Sequence, residues 1–345
     1  MLRYTPVNTL LRDLIASGQL GQLINIQHLE PIGSSHFAHS YVRGNWNNEK
    51  KATFALMAKS CHDIDILQYW AQAAPASAGE GAQQVASGEN RVVSVSSFGG
   101  LMHFRPENAP AAAAITAATA TADSSSSSRC LSCAAEKSCP YSAQKIYLDP
   151  LRDPKGFKGW RPNYLALIDT AVPDIENVSA ALASGPYGRC VYTSDNDVVD
   201  HQVVNLSFAQ GQTASFTMTA FTQKTCERQT RVFGSRGQIE CDGDVVTVYD
   251  FATRKTRIYE PLKGQGIDFY DKDGQTNNQE KVKPDDIGRL IGHHGADYYL
   301  MKSFILAVRE ANPARISSGA AASLASHKIV FAAEKARKEG TVVHL

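Results

Sequence analysis

The sequence predicts an α+β fold: a large, open, mostly antiparallel β-sheet with helices on one face. Two patterns predict it. From Val191 onward the chain runs through short alternating segments, VVDHQVVNLSF, TASFTMTAF, TRVFGS, QIECDG, VVTVYDF and RKTRIYE, separated by Gly, Asp, Asn or Ser turns. Alternate residues of a strand face opposite sides and those turn residues close hairpins, so the run reads as an antiparallel meander. The chain then closes on two helices. In the last, Ala322, Ala325, Ile329, Ala332 and Ala336 recur at helical spacing, a narrow small-residue face suited to lying flat on a sheet.

The earlier elements follow in order. Pro6 starts a first helix whose apolar stripe is Leu10, Leu11, Leu14 and Ile15, and Gly18 and Gly21 punctuate its end. Leu23, Ile24 and Ile26 lead into INIQHLEPI, which has the period of a strand. A polar and aromatic loop runs from Gly33 to Lys51. A second helix is predicted to begin near Ser60, with Ile64, Leu67 and Trp70 on one side. Val92 to Phe104 reads as another strand. Residues 71–91 and 109–128, rich in Ala, Ser, Thr, Gln and Gly, lack the bulky periodic side chains of a core element and read as low-complexity insertions.

Composition bounds the function. With 345 residues, 43% apolar and 20% charged, the chain can bury a sizeable core, and its length alone suggests two domains. Lys+Arg is 35 against Asp+Glu 34, a net charge of +1, which argues against nucleic acid or an anionic membrane surface as partner. Uninterrupted apolar runs fall well short of the roughly 18–20 residues of a membrane-spanning helix. The start, MLRYTPVNTLLRDLI, carries charges within its apolar stretch and no small-residue cleavage pattern, unlike a signal peptide. Seven cysteines, an odd number, favour a reducing compartment over a disulfide scaffold. The expectation is a cytoplasmic globular protein.

The segment ALMAKSCHDIDILQYW holds the densest chemistry. Ser60 and Asp63 have capping-box spacing, which places a helix start at Ser60. His62 then lies in the first turn, where the positive end of the helix dipole disfavours imidazolium. A neutral histidine there can exchange a proton with a substrate hydroxyl or carbonyl near neutral pH. Plainer readings stand beside this one: Asp63 as a simple cap, Asp65 as an acceptor for backbone amides, and Lys59 as a solvated charge.

CHDIDILQYW, with RYTP, SGQLGQLINIQHLEP and the loop HFAHSYVRGNW, resembles the Gfo/Idh/MocA family, that of glucose–fructose oxidoreductase and inositol dehydrogenase. CPYSAQKIYL, GHHGADYYLMKSF and the terminal ASHKIVFAAEKAR extend the resemblance, in order, over nearly the whole chain. It implies a C-terminal domain on an open, mostly antiparallel sheet that contributes substrate contacts and helps dimerise, in a protein whose N-terminal Rossmann domain binds NAD or NADP. In family members RYTP lies at the end of that dinucleotide domain, after the Gly-rich turn and a Glu-Lys-Pro motif. Here RYTP follows Met1 and Leu2, no Glu-Lys-Pro occurs, and the nearest approach to G-x-G-x-x-G is GEGAQQ at Gly79, without the third glycine. The expectation is therefore that residues 1–20 are a remnant of the end of the dinucleotide-binding domain and the following helix. Residues 21–345 form the substrate and dimerisation domain, and the cofactor domain is missing.

The resemblance places His62 as the catalytic histidine. It also shows a departure, because members typically carry Asp four residues earlier, where this chain has Ala58 followed by Lys59. A methyl cannot orient an imidazole; Lys59 is a candidate cationic partner for a carbonyl oxygen, or a surface lysine. The loop GSSHFAHSYVRGNW offers His36, His39, Tyr41, Arg43, Asn45 and Trp46 for a polyhydroxylated substrate, with Trp46 able to cover an apolar sugar face. An ordinary polar connection in which Arg43 and Trp46 merely pack is the competing reading. The family places GHHGADYY, with His293, His294 and Asp297, near the same pocket; Asp297 also suits a first-turn dipole partner.

Cys130, Cys133 and Cys139 form C-x2-C-x5-C, a spacing that could hold structural zinc if a distant residue such as His103 supplied a fourth ligand, or that leaves three reduced thiols or a labile disulfide. Cys61, Cys190, Cys226 and Cys241 read as small core residues. Two functions follow. The first is the substrate-binding half of an NAD(P)-dependent oxidoreductase of a sugar, cyclitol or related polyol, assembled as a homo-oligomer through the open sheet face. The second is a non-catalytic binding or dimerisation domain from a truncated or degenerate gene.

Overall fold

The structure is a computed structural model that describes residues 1–75, 90–111, 113, 129–153, 164–165, 168, 170, 172–263 and 295–345. The expected insertions 71–91 and 109–128 fall largely outside these residues. Among them the chain forms seven α-helices: α1 (Pro6–Ala16), α2 (Ser34–Phe37), α3 (Ala55–Ala71), α4 (Asp149–Arg152), α5 (Ile175–Ser184), α6 (Ala296–Arg309) and α7 (Ala320–Glu339). The strands are β1 (Leu23–Pro31), β2 (Val92–Gly100), β3 (His201–Phe208), β4 (Thr213–Thr219), β5 (Gln229–Gly234), β6 (Gly237–Cys241), β7 (Val246–Asp250), β8 (Lys255–Tyr259) and β9 (Val343–His344). They make one sheet in the order β8-β7-β6-β5-β1-β4-β3-β2-β9.

The fold class is as the sequence predicts. β5 to β8 are the meander, each antiparallel to the next. One pairing is different: β1 runs parallel to β4, with His28 beside Phe216 and Glu30 beside Met218. Alternation cannot reveal this, since the period of two is common to both directions and only the connection between strands sets which one forms.

The alternation also separates the faces. Ile26, His28 and Glu30 of β1 are buried beside Ala214, Phe216 and Met218 of β4 and Val204, Leu206 and Phe208 of β3. On the opposite face one cross-strand row reads Arg231, Gln27, Ser215, Asn205 and Ser96. The core lies between the apolar face and the helices. α1 is capped by Thr5, whose Oγ1 accepts from the Asn8 amide at 3.1 Å, and Pro6 takes its first position. Arg3 ties this end to α3 through Asp65 at 2.6 Å and to the Ser317 carbonyl at 2.6 Å.

α7 packs through Ile329, Val330, Ala332, Ala333 and Ala336 against α3 and β2, while Ala322 and Ala325 are only half-buried. Gly340, at φ 64°, ends it in the left-handed conformation that glycine adopts without a Cβ clash. That turn sends Val343–His344 back as a short edge strand on β2, too brief to leave a periodic signal.

α3 begins at Ala55, and the non-helical Ser60 (φ −120°, ψ 16°) divides it into two helical segments, the second beginning where the sequence places a helix start. The Ser60 hydroxyl is buried without a hydrogen bond, so no capping box forms. The reason is that Asp63 is drawn to stronger partners in the core. No helix among the described residues is long and apolar enough to cross a membrane.

Trp70 fixes α3 on the sheet: it is fully buried, meets His28 edge-on at 5.7 Å and donates from Nε1 to the Asn8 carbonyl at 3.2 Å. Trp70→Ala is expected to lower the unfolding free energy by about 3–5 kcal/mol. The check is a fall in the urea midpoint at unchanged slope; a loss under about 1 kcal/mol would place Trp70 outside the cooperative core.

Candidate active site beneath His62

The strand period that buries Ile26 also sends His28 and Glu30 inward, and Glu30 is fully buried. A carboxylate in that position needs a cation. Two arrive. Lys59, on the first segment of kinked α3, places Nζ 3.1 Å from Glu30 Oε1. Arg228, from the link between β4 and β5, places Nη2 3.0 Å from Glu30 Oε2. These are ion pairs at contact distance rather than aligned hydrogen bonds.

Arg228 also donates from Nε to Asp63 Oδ1 at 2.5 Å and from Nη2 to His62 Nε2 at 2.9 Å. Asp63, likewise fully buried, takes a third contact from His28 Nε2 at 3.3 Å. An ionised carboxylate only accepts, so that nitrogen of His28 carries the hydrogen, while Nδ1 meets Thr230 Oγ1 at 2.8 Å. Lys59 Nζ further donates to Cys226 Sγ at 2.9 Å, and Cys226 holds a backbone φ of 60°. Two buried carboxylates face two cations, so the network is formally neutral, the condition under which such charges are tolerated inside a protein.

The electrostatics follow from the contacts. Burial pushes the Asp63 carboxyl up, but Arg228, His62 and His28 outweigh it and hold the group well below the ordinary carboxylate range. Burial opposes the charge on Lys59, yet Glu30 and Cys226 more than compensate and raise it above an ordinary lysine. Lys59 therefore stays a cation and cannot be a base.

His62 is pushed down to about 4, first by burial and then by Arg228 and Lys59 against the opposing pull of Asp63. It is neutral at physiological pH as expected, but for a different reason. It lies just past the Ser60 kink, at the start of the second helical segment of α3, and desolvation beside two cations outweighs the dipole there. Its side chain is 32% exposed while Asp63 beside it is fully enclosed.

Residues 12–123 match the family described as the oxidoreductase family, C-terminal alpha/beta domain. That match spans about a third of the chain and likens this stretch to the C-terminal domain of the Gfo/Idh/MocA oxidoreductases. No curated protein matches it. Solved structures share its fold. An oxidoreductase domain protein from Kribbella flavida is 14% identical, with a TM-score of 0.52 over 99% of this chain and 64% of that one. An NAD binding oxidoreductase from Klebsiella pneumoniae is 11% identical, with a TM-score of 0.54 over 99% and 64%. Levoglucosan dehydrogenase in complex with NADH and levoglucosan is 13% identical, with a TM-score of 0.53 over 99% and 64%. This chain thus spans under two thirds of the length of these structures.

The residues of the loop after β1 fall into two groups. His36 and Tyr41 stack at 6.1 Å and lie within the electrostatic reach of the network, His36 of Lys59 and Tyr41 of Cys226 and Glu30. His39 is buried, 2.9 Å from the Tyr147 hydroxyl and packed on the rings of Tyr164 and Tyr187. Arg43 is turned inward as a brace: Nε donates to the Arg189 carbonyl at 2.8 Å, and Nη2 to the Tyr141 carbonyl at 2.7 Å and Cys130 Sγ at 3.3 Å.

Asn45 and Trp46 are exposed, and Trp46 stacks on Tyr41 at 5.6 Å. A cleft of about 710 Å³ lined by Arg43, Asn45, Lys51, Tyr187, Arg189 and Asp195, among others, takes in none of the network residues. Asp297 sits in the first turn of α6, where its charge acts on the Met1 amine together with that of Asp65. His293 and His294 lie outside the described residues.

All seven cysteines are free thiols. Cys226 is no mere core filler, being tied to Lys59. Of the readings open for Cys130, Cys133 and Cys139, the thiols are free, and among the described residues no group of three or more His, Cys, Asp or Glu side chains is disposed to hold a metal ion. His103, the suggested fourth ligand, is instead packed among Phe104, Tyr141, Tyr192 and Phe221.

Sequence reading misses Glu30, His28, Arg228 and Cys226. The first two leave a signal, since both occupy the buried phase of INIQHLEPI. Arg228 leaves none, as it sits in an irregular link.

The histidines set a pH dependence. His36 is lowered to about 3 by burial, Lys59 and His39, and His39 to about 4 by burial and Arg43. With His62 they are neutral when folded but protonate near 6.5 when unfolded, so the unfolded chain binds more protons below that pH. Asp63 acts in the same direction, its contribution being lost as pH falls below the ordinary 3.8. Unfolding free energy is expected to be greatest above about pH 6.5 and to fall toward pH 4, by up to about 1.4 kcal/mol per pH unit for each histidine. A flat denaturation profile across that window would mean the three imidazoles are charged in the folded protein.

Proposed function

We propose that this chain is the substrate-binding half of an NAD- or NADP-dependent oxidoreductase acting on a sugar, cyclitol or related polyol, with His62 meeting the oxygen of the reacting carbon. One observation carries the reading. A buried, charge-balanced network of two carboxylates and two cations supports a partly open imidazole. Such a network holds the ring in one orientation at the boundary of the core, as a group that must meet a substrate atom needs.

Lys59 serves as a fixed cation behind His62, helping to keep it neutral. His36 and Tyr41 are buried beneath the loop, and the exposed Trp46 offers an apolar face to a sugar ring. The fold neighbour that is a levoglucosan dehydrogenase supports the substrate class. The described residues do not fit a dinucleotide. No Gly-rich turn leads from a strand into a helix start among them, and α1 opens on Thr5 and Pro6. Nucleotide is therefore assigned to protein outside these residues.

Titration of the chain with levoglucosan, inositol and glucose by calorimetry is expected to give saturable heat for at least one of them. That heat should be lost in His62→Ala at unchanged circular dichroism. NADH and NADPH fluorescence should stay unchanged at millimolar nucleotide. If no carbohydrate binds the folded chain, the substrate-binding reading is wrong.

The second reading, a binding or dimerisation domain, draws on the outer sheet face, where a row of short polar side chains is flanked by the exposed Ile24, Phe98 and Ile258. We place a second copy of the chain on that face. Sedimentation equilibrium should then give a dimer that Phe98→Glu dissociates; a monomer at micromolar concentration would remove this partner.

A further inference from the structure

The contact between Arg228 and His62 constrains where the imidazole proton sits. A guanidinium has only donors, so the nitrogen it approaches must present a lone pair. Arg228 Nη2 lies 2.9 Å from His62 Nε2, which makes Nε2 the acceptor and leaves the ring hydrogen on Nδ1. Asp63 Oδ2, 3.5 Å from the same Nε2, would pull the other way by attracting an Nε2 hydrogen. Its carboxylate is already engaged by Arg228 Nε, Arg228 Nη2 and His28 Nε2.

Arg228 is itself immobilised, by Glu30 on the strand side, Asp63 on the helix side and the carbonyl of Cys226 in its own link. The charged groups acting on His62 are thus Asp63 and Glu30 against Arg228 and Lys59. Among the described residues Nδ1 has no hydrogen-bond partner, and it is not an enclosed atom, so it is the nitrogen turned outward.

We infer that Arg228 is the positioning residue of the site: it locks His62 as the neutral Nδ1–H tautomer, so that the ring meets the substrate oxygen as a hydrogen-bond donor and not as a base. A neutral imidazole polarises a carbonyl or holds a hydroxyl oxygen by donating, with no proton transferred to or from the ring. The assignment of the substrate oxygen rests on the function proposed above; the tautomer does not.

The test is two-bond 1H–15N correlation on the full chain labelled with 15N-histidine, His62 being identified by the signal lost in His62→Gln. The expected spectrum has a protonated, pyrrole-type Nδ1 and an unprotonated, pyridine-type Nε2 for His62 from about pH 5 to 8. A pyrrole-type Nε2, or a ring that titrates near 6.5, overturns the inference whatever the Arg228 variant shows. In Arg228→Lys, which keeps the charge but loses the planar fork, the pyrrole-type signal is expected to shift toward Nε2. An unchanged tautomer in a folded Arg228→Lys would assign the lock to another group. If the wild-type tautomer is found and no carbohydrate binds, the functional reading fails while this one stands.

Discussion

Two carboxylates with no exposed surface, Glu30 on β1 and Asp63 on α3, set the terms for the rest of the molecule. Neither can be enclosed as an anion without a cation at contact distance. Arg228 answers both and Lys59 answers Glu30, so strand, helix and the link between β4 and β5 are bound to one charge balance. The parallel partnership of β1 with β4 serves it by bringing the end of β4, and with it the link, beside Glu30. The kink at Ser60 lies between Lys59 and His62, so the two side chains leave differently oriented segments of the same helix.

The state of His62 follows from this balance. A helix-start dipole would supply a partial charge that solvent screens. Two buried cations and a desolvated setting act more strongly, and they also fix which ring nitrogen is available. Functional geometry here is a consequence of burying charge. The aromatic layer of Phe37, Tyr41, Trp46, Tyr164 and Tyr187 around the loop extends the same logic, since it encloses His36 and His39 in surroundings that favour neutral rings.

Much of the architecture is legible in the residues. The meander, the helix start at Pro6 and the Ile329, Ala332 and Ala336 part of the α7 face appear where the sequence places them, because each is a short-range pattern. His62 stands out for its neighbours in sequence. The capping box at Ser60 does not form, for an instructive reason: Ser60 and Asp63 have the spacing of a cap, yet Asp63 forms ion pairs with Arg228 and contacts His28. Arg43 reads from sequence either as a substrate contact or as a packed residue, and the partners that brace it, the Arg189 and Tyr141 carbonyls, are too remote in sequence to be foreseen. The thiols of Cys130, Cys133 and Cys139 have a ligand spacing, but spacing does not supply a fourth donor.

The sequence by itself determined the phase of each strand, and so placed His28 and Glu30 on the buried side, because side-chain alternation is a property of the local backbone. It also determined that Lys59, His62 and Asp63 share one short stretch. Only the tertiary structure decided what they do. Asp63 and Arg228 are 165 positions apart and meet through strand pairings whose direction and order no local period encodes. Charge compensation is non-local: it depends on distance in space and on exclusion of water, and both exist only once the sheet and α3 have closed over the network.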